Sequence, residues 1–224
     1  MCGRLVIYSP VASYAGFLGA VTAYDNRPSY NIPPSADIPV CRVEPGNGRV
    51  LVPAQWGLVP SWSSGPDSRY SMFNARAESV HEKPAFRTAF RKQRCLVPVD
   101  GFYEWKKANG KQPYYFYRQT GEPLVLAGLW DQWQAADGGV LDSCTIIVTE
   151  ANTLMRPVHD RMPVILDPDQ FTDWLAPDNH EVDTLRNFLQ PYSGNELACR
   201  PVSRAVNNPR NDSAELIEEN VQPV

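Results

Sequence analysis

The residues best equipped for chemistry stand at the start of the chain, Met1-Cys2-Gly3-Arg4. Aminopeptidases of the cytosol remove an initiator Met when the second residue is small, so the mature chain is expected to begin at Cys2. That places a free α-amine and a thiol on one carbon framework. With ordinary pKa values of about 7.7–8.0 for the amine and about 8.5 for the thiol, both are partly in nucleophilic form near neutrality. Such a 1,2-aminothiol condenses with an aldehyde to a Schiff base, and the thiolate then closes a thiazolidine ring. Neither a lysine nor an internal cysteine does this. The same pair also suits an N-terminal nucleophile hydrolase, in which the thiol attacks an amide and the α-amine is its base. A second-position cysteine without a role is the third reading.

Three further segments carry candidate groups. In Phe73-Asn74-Ala75-Arg76-Ala77-Glu78, Asn74 offers an amide that donates and accepts, and an extended backbone would put Arg76 on the same face. The plain alternative is a turn Asn beside a surface Arg. Gly101-Phe102-Tyr103-Glu104-Trp105 sets one carboxyl among aromatics, either as a general acid or as a solvent-facing residue at a strand edge. Pro157-Val158-His159-Asp160-Arg161-Met162-Pro163 supplies the histidine with both a neighbouring carboxylate and an Arg, which makes His159 the best proton-transfer candidate. His81 and His180, in polar contexts, read as surface residues. Six Trp and ten Tyr are many for this length; Gln55–Trp62 precedes the Arg-rich block and Tyr114–Tyr117 follows it. Alone such aromatics are core; beside Arg they are what unstacked bases require.

The elements that must position these groups are short. Twenty-one prolines in 224 residues preclude long helices. Strands are expected at Arg49–Val52, Cys95–Val99, Tyr114–Tyr117, Leu124–Leu129, Cys144–Thr149 and Pro163–Leu166. Helices are expected from Ser9-Pro10 to about Ala20, at Lys83–Lys92, at Asp167–Leu175 and at Glu181–Leu189. Strand and helix do not alternate regularly, so the class is α+β. Without repeats or a Gly/Ser linker, one domain over residues 1–215 with a partly ordered tail over 216–224 is the expectation. Ser61–Arg69 and Ala135–Gly139 read as exposed loops.

Composition excludes several classes. No window approaches 18 apolar residues, so a membrane span is not expected. Five scattered cysteines with no CxxC pair, and three histidines, do not form a metal set. Glycine-rich phosphate loops are missing, and no cofactor is expected. The first apolar run, Leu5 to Tyr8, stops at Pro10, so the chain reads as starting with its mature fold in a reducing cytosol. Cys41, Cys95 and Cys144 lie in strand-like apolar runs and read as buried hydrophobes. A net charge of −4 argues at first against nucleic acid. Its distribution says otherwise: residues 68–118 hold eleven basic and four acidic side chains, and residues 119–224 hold six and seventeen. Sixteen of the 21 basic residues are Arg, the side chain that grips phosphate bidentately.

Taken together, MCGR at 1–4, YNIPP at 30–34, WGLVPSW at 56–62, NARAE at 74–78, RCLVPVDGFYEW at 94–105, TIIVTEAN at 145–152, HDRMPVIL at 159–166 and PVSRAVNN at 201–208 closely resemble the SRAP (SOS response-associated peptidase) family of abasic-site processing proteins. The resemblance runs nearly end to end. It implies a single compact α+β domain with a central barrel-like β core of mixed or antiparallel strands, a few short helices and a positively charged groove for single-stranded DNA. It implies further that Cys2 is the covalent nucleophile, that Asn74 holds the sugar or the Cys2 amine, and that Glu104 and His159 are the acid/base pair. Arg4, Arg76 and Arg161 become phosphate clamps and Trp62 a wedge or stacking residue. The implied partner is single-stranded DNA containing abasic sites, bound by a cytoplasmic, nucleoid-associated monomer. The implied activity is thiazolidine crosslinking with lyase-type chemistry and self-removal of Met1. An amidotransferase-like hydrolase using the same Cys2, and a non-covalent reader of damaged DNA, are the alternatives.

Overall fold

A computed structural model describes residues 2–67, 72–106 and 111–220. Met1, Arg69 and the last four residues, on which parts of the sequence reading fall, lie outside the described residues. Twelve strands carry the fold: β1 Leu5–Ile7, β2 Ser29–Ile32, β3 Asp37–Glu44, β4 Gly48–Trp56, β5 Asn74–Arg76, β6 Arg94–Val99, β7 Gly101–Lys106, β8 Gln112–Arg118, β9 Leu124–Gln134, β10 Val140–Glu150, β11 Arg161–Pro163 and β12 Leu197–Pro201. The helices are short: α1 Val11–Leu18, α2 Arg87–Lys92, α3 Phe171–Leu175 and α4 Val182–Arg186.

The expected barrel is present and closes through five strands. β10 pairs parallel with β4, and the antiparallel pairs β4–β3, β3–β6, β6–β9 and β9–β10 complete the ring. Closure removes the exposed strand edges that an open sheet would leave. Along its strands Val40, Cys41, Leu51, Leu96, Val97, Leu126, Cys144 and Ile146 are buried, among the β-branched and aliphatic residues that suit a pleated surface. Prolines do not interrupt it. Pro39 faces Pro53 across β3–β4, and the outward ladders of these strands lie elsewhere, at Cys41–Leu96 and Gln55–Ser143. Each missing N–H therefore falls where no ladder partner waits for it.

β10 is eleven residues long and outlasts the ring. Beyond the β4 contact at Ser143–Gln55 and Cys144–Trp56, the same edge of β10 takes up β5 at Ile146–Asn74 and Val148–Arg76. The segment between β4 and β5 is thus an excursion that leaves and returns at neighbouring points of one strand, and it carries Trp62. On its other edge the end of β10 pairs with β11, Glu150 opposite Arg161.

A second, antiparallel sheet in the order β12-β8-β7-β1-β2 packs beside the barrel. Its two faces alternate along each strand. Leu5, Ile7, Phe102 and Phe116 turn into the main core, with the Phe102 and Phe116 rings stacked at 5.2 Å. Val6, Tyr103 and Tyr115 turn the other way, where Val202, Val206 and Leu216 cover them. The turn Ala214–Ile217 therefore straddles the expected domain boundary at 215, with Leu216 buried.

Several expected elements shift. α1 starts at Val11 with Pro10 in the cap position, because the Ser9 hydroxyl donates to Asp100 instead of capping. Lys83–Phe86 forms a turn before α2. Ile165 meets β9 only at an isolated bridge, so β11 is Arg161–Pro163 rather than Pro163–Leu166. Among the described residues no helix is long and apolar enough to cross a membrane.

Candidate functional site: a buried N-terminal thiol at the foot of a groove

β1 brings the N-terminal segment against β7. Leu5 faces Phe102, Val6 faces Gly101, and the Tyr103 amide donates to the Arg4 carbonyl at 3.0 Å. Continuing that register sets Gly3 opposite Glu104, one residue from Cys2. Glu104 alternates with Tyr103 and Trp105 and so shares the barrel-side face of Phe102. It is buried, 2% exposed, in an interior strand flanked by β8 and β1; the solvent-facing edge alternative is overturned. Cys2 is fully buried. Burial first, and the Glu104 charge second, push its thiol far above the ordinary value, while the Arg4 amide N–H donating to the sulfur opposes them.

β5 supplies the next group. Its register on β10 turns Ala75 inward and leaves Asn74 and Arg76 together on the other face, as an extended segment requires. Asn74 Nδ2 donates to the Cys2 carbonyl at 2.6 Å. Asn74 Oδ1 is buried and accepts from no group among the described residues. One side chain therefore binds the Cys2 backbone and holds an acceptor in reserve.

Asn74 also lines an open groove of about 820 Å³, whose walls include Trp62, Arg76, Ser79, Lys83 and Phe86. Trp62 is two-thirds exposed, although its loop is firmly held. The Ser61 amide donates to Asp131 Oδ2 at 2.9 Å, the Val59 amide to Ser143 Oγ at 2.8 Å, and the Trp133 indole N–H to the Ser63 carbonyl at 3.0 Å. Gly65, at φ +127°, brings its backbone so near Trp133 that a Cβ would lie 3.0 Å from the ring. An exposed aromatic on a pinned loop is pre-organised for stacking rather than left over from the core.

The remaining candidates have partners of their own, and none of Arg4, His159 and Arg161 is among the residues that line the groove. The Arg161 amide lies 3.0 Å from His159 Nδ1, and Asp160 Oδ1 lies 2.9 Å from the same nitrogen. Arg161 Nη1 contacts Glu78 Oε1. Arg4 Nη1 donates to Asn31 Oδ1 at 2.6 Å and to the Val206 carbonyl at 3.2 Å, so Arg4 ties β2 and the C-terminal segment together. Arg76 is exposed on the groove wall. His81, read as a surface residue, is half-buried with its ring 6.5 Å from Phe90; His180 is exposed. Sequence reasoning missed Asp131, Ser143, Asn31 and Asp100. Asp100 receives the Tyr8 and Ser9 amides and the Ser9 and Tyr14 hydroxyls, fixing the exit of β1. These residues lie far along the chain from what they hold, so no local pattern announces them. Among the described residues no group of His, Cys, Asp or Glu is placed to hold a metal ion.

With the geometry in place, comparison with known proteins is informative. The family model described as SOS response associated peptidase (SRAP) matches residues 1–209. Abasic site processing protein YoqW of Bacillus subtilis (strain 168) is 38% identical over 223 residues, covering 97% of this chain and 99% of that protein. Abasic site processing protein HMCES of Xenopus tropicalis is 36% identical over 222 residues, covering 85% of this chain and 66% of that one. A crystal structure of a Bacteroides thetaiotaomicron protein superposes with a TM-score of 0.88 at 22% identity over 98% of this chain and 100% of its own, a likeness of fold.

Proposed function

The chain belongs to the SOS response associated peptidase (SRAP) family, and from that premise we propose that it processes abasic sites in single-stranded DNA by crosslinking to them through Cys2. Relatives across its full length bear the name abasic site processing protein. The observation that carries the reading is Asn74, which holds the Cys2 carbonyl at 2.6 Å and lines the groove that Trp62 and Arg76 share. A lesion sugar in that groove is thereby brought to the N-terminal residue.

Removal of Met1 turns the Cys2 peptide nitrogen into an α-amine. In DNA the abasic deoxyribose opens to its C1′ aldehyde, with Glu104 moving the proton between ring oxygen and hydroxyl. The amine adds to C1′, and loss of one water leaves a Schiff base. The thiol then adds across the C=N bond, forming the C–S bond while its proton passes to nitrogen, and the thiazolidine ring is complete. Burial pushes the Cys2 thiol up, in keeping with this order, amine first and thiol second. Asn74 orients the partners, its Oδ1 accepting from the substrate. His159, held by the Arg161 amide at Nδ1, shuttles protons. Trp62 stacks on a base beside the lesion, a contact of about 1–3 kcal/mol, and Arg76 takes a phosphate. Self-removal of Met1 draws on the same Cys2, Glu104 and Asn74 neighbourhood.

Intact mass spectrometry tests the scheme. Protein incubated with an abasic single-stranded oligonucleotide is expected to show loss of Met1 and an adduct equal to the sum of the partners less one water. Retention without a denaturation-stable adduct would instead establish a non-covalent reader and sink the crosslinking assignment.

A further inference from the structure

Arg161, assigned above to DNA, is already engaged: its Nη1 contacts Glu78 Oε1. The contact follows from the sheet. On one edge of β10 Arg76 faces Val148, and on the other Arg161 faces Glu150. β5 ends at Arg76, and Glu78 stands two residues on, in the turn whose Ser79 amide donates to the Arg76 carbonyl at 3.1 Å. Arg161, two residues from His159, is tied by a carboxylate from the segment that bears Asn74 and Arg76. Glu78 is half exposed and Arg161 about one-quarter exposed, so the pair is open to a competing anion. Burial alone would raise the Glu78 carboxyl, but the Arg161 hydrogen bond and the Arg161 and Arg76 charges outweigh it and hold the group below the ordinary range. Arg186 and Glu150 line the same cleft.

We propose that Glu78 is an electrostatic gate on Arg161: it holds the guanidinium in the free protein and releases it only to a DNA phosphate seated between Arg76 and Arg161. Arg binds carboxylate and phosphate with the same fork geometry, so one partner replaces the other without a rotamer search. The exchange weakens every encounter. Undamaged DNA has only this weakened binding. A lesion adds a covalent bond to it, so Glu78 sharpens discrimination. The inference rests on the assignment of Arg161 to DNA made above.

The test is the anisotropy of a labelled, undamaged single-stranded oligonucleotide titrated at several salt concentrations with four full-length proteins: the parent, E78Q, R161Q and E78Q/R161Q. E78Q is expected to bind about threefold more tightly, the range over which an exposed ion pair acts. Its salt dependence steepens by up to about 0.7 in log–log slope, one phosphate's worth of released counterion for a single strand. R161Q weakens binding and flattens that slope, and the double variant matches R161Q. E78D, which keeps the charge on a shorter arm, falls between the parent and E78Q. If E78Q binds no more tightly than the parent while R161Q is weakened, Glu78 only props Arg161 and the gate is overturned. If E78Q tightens binding equally in the R161Q background, its charge acts elsewhere and the gate is again overturned. If R161Q binds like the parent, the assignment of Arg161 to DNA fails, a result distinct from the other two.

Discussion

Cys2 and Cys95 are both fully buried, and burial pushes both thiols well above their ordinary value. Their surroundings differ. Cys95 sits on β6 of the barrel, where its electrostatic neighbours are the thiols of Cys144 and Cys41 and, with a smaller and opposite effect, Arg42. Gly128 opposite it leaves no room even for a methyl group, since a Cβ there would lie 2.9 Å from Cys95 Sγ. Cys2 lies outside the ring, with the Glu104 charge beside it, the Arg4 amide on its sulfur and the Asn74 amide on its carbonyl. Burial by itself does not separate a structural thiol from a reactive one. Polar neighbours and a path to the surface do, and Asn74, which both touches Cys2 and lines the groove, provides both.

That contrast can be broken at several points. Cys2→Ala is expected to abolish the gel-stable adduct with an abasic single strand, whereas Cys95→Ala leaves the adduct rate intact and costs about 1 kcal/mol of stability, the scale for one buried heavy atom. An adduct that survives Cys2→Ala, or vanishes with Cys95→Ala in folded protein, would erase the distinction. Next in size, Glu104→Gln removes the carboxyl that moves the proton and should slow adduct formation by about 10²-fold or more. Asn74→Ala, which releases the Cys2 carbonyl and misplaces the reacting groups, should slow it by about 10-fold to 10²-fold. Single-turnover adduct rates at constant pH measure both, and an unchanged rate in either would remove that residue from the scheme.

On the dry side, Gly128→Ala overfills the barrel against Cys95 Sγ, the Thr145 carbonyl and Val97. The expected cost is about 1–3 kcal/mol, seen as a lower melting temperature with the adduct rate at low temperature unchanged. The smallest effect concerns pH. A thiol whose folded pKa is raised stays neutral in the native state while the unfolded chain ionises near pH 8.5–9. Its stabilising contribution is therefore complete below that range and lost as pH rises above it. Cys41, pushed up to about 12, and Cys95 both contribute. Thermal melts should show stability falling above about pH 9, and Cys95→Ala should remove about 1 kcal/mol of that fall by pH 9.5. An equally steep fall in the variant would place the titration elsewhere.

Legibility in the sequence followed locality. The strands at Cys95–Val99, Leu124–Leu129 and Cys144–Thr149 were readable because β-branched runs between turn residues suit a pleated, buried surface. β3 was not, since Pro39 reads as a breaker until Pro53 is found facing it. β7 was ambiguous because Glu104 among aromatics fits a core strand and an exposed edge equally well; only β1 and β8 on either side decide it. Asn74 and Arg76 shared a face by simple alternation, so that part of the site could be read directly. Nothing local linked Ser61 to Asp131, or Arg161 to Glu78, because those pairs are separated by about seventy and eighty residues.

The amino-acid order by itself determined that the chain is an α+β protein of short elements, that an aminothiol can stand at its head, and that positive charge gathers within residues 68–118. Those are properties of composition, spacing and covalent chemistry, and they need no folding to exist. Tertiary structure alone decided that the ring closes β4 through β10, that the thiol is buried against Glu104 while Asn74 reaches from it to the groove, and that two of the three candidate phosphate clamps, Arg4 and Arg161, already hold protein partners. Each of those outcomes depends on strand registers between distant segments. A register is set by the burial of a whole face at once rather than by any residue read singly.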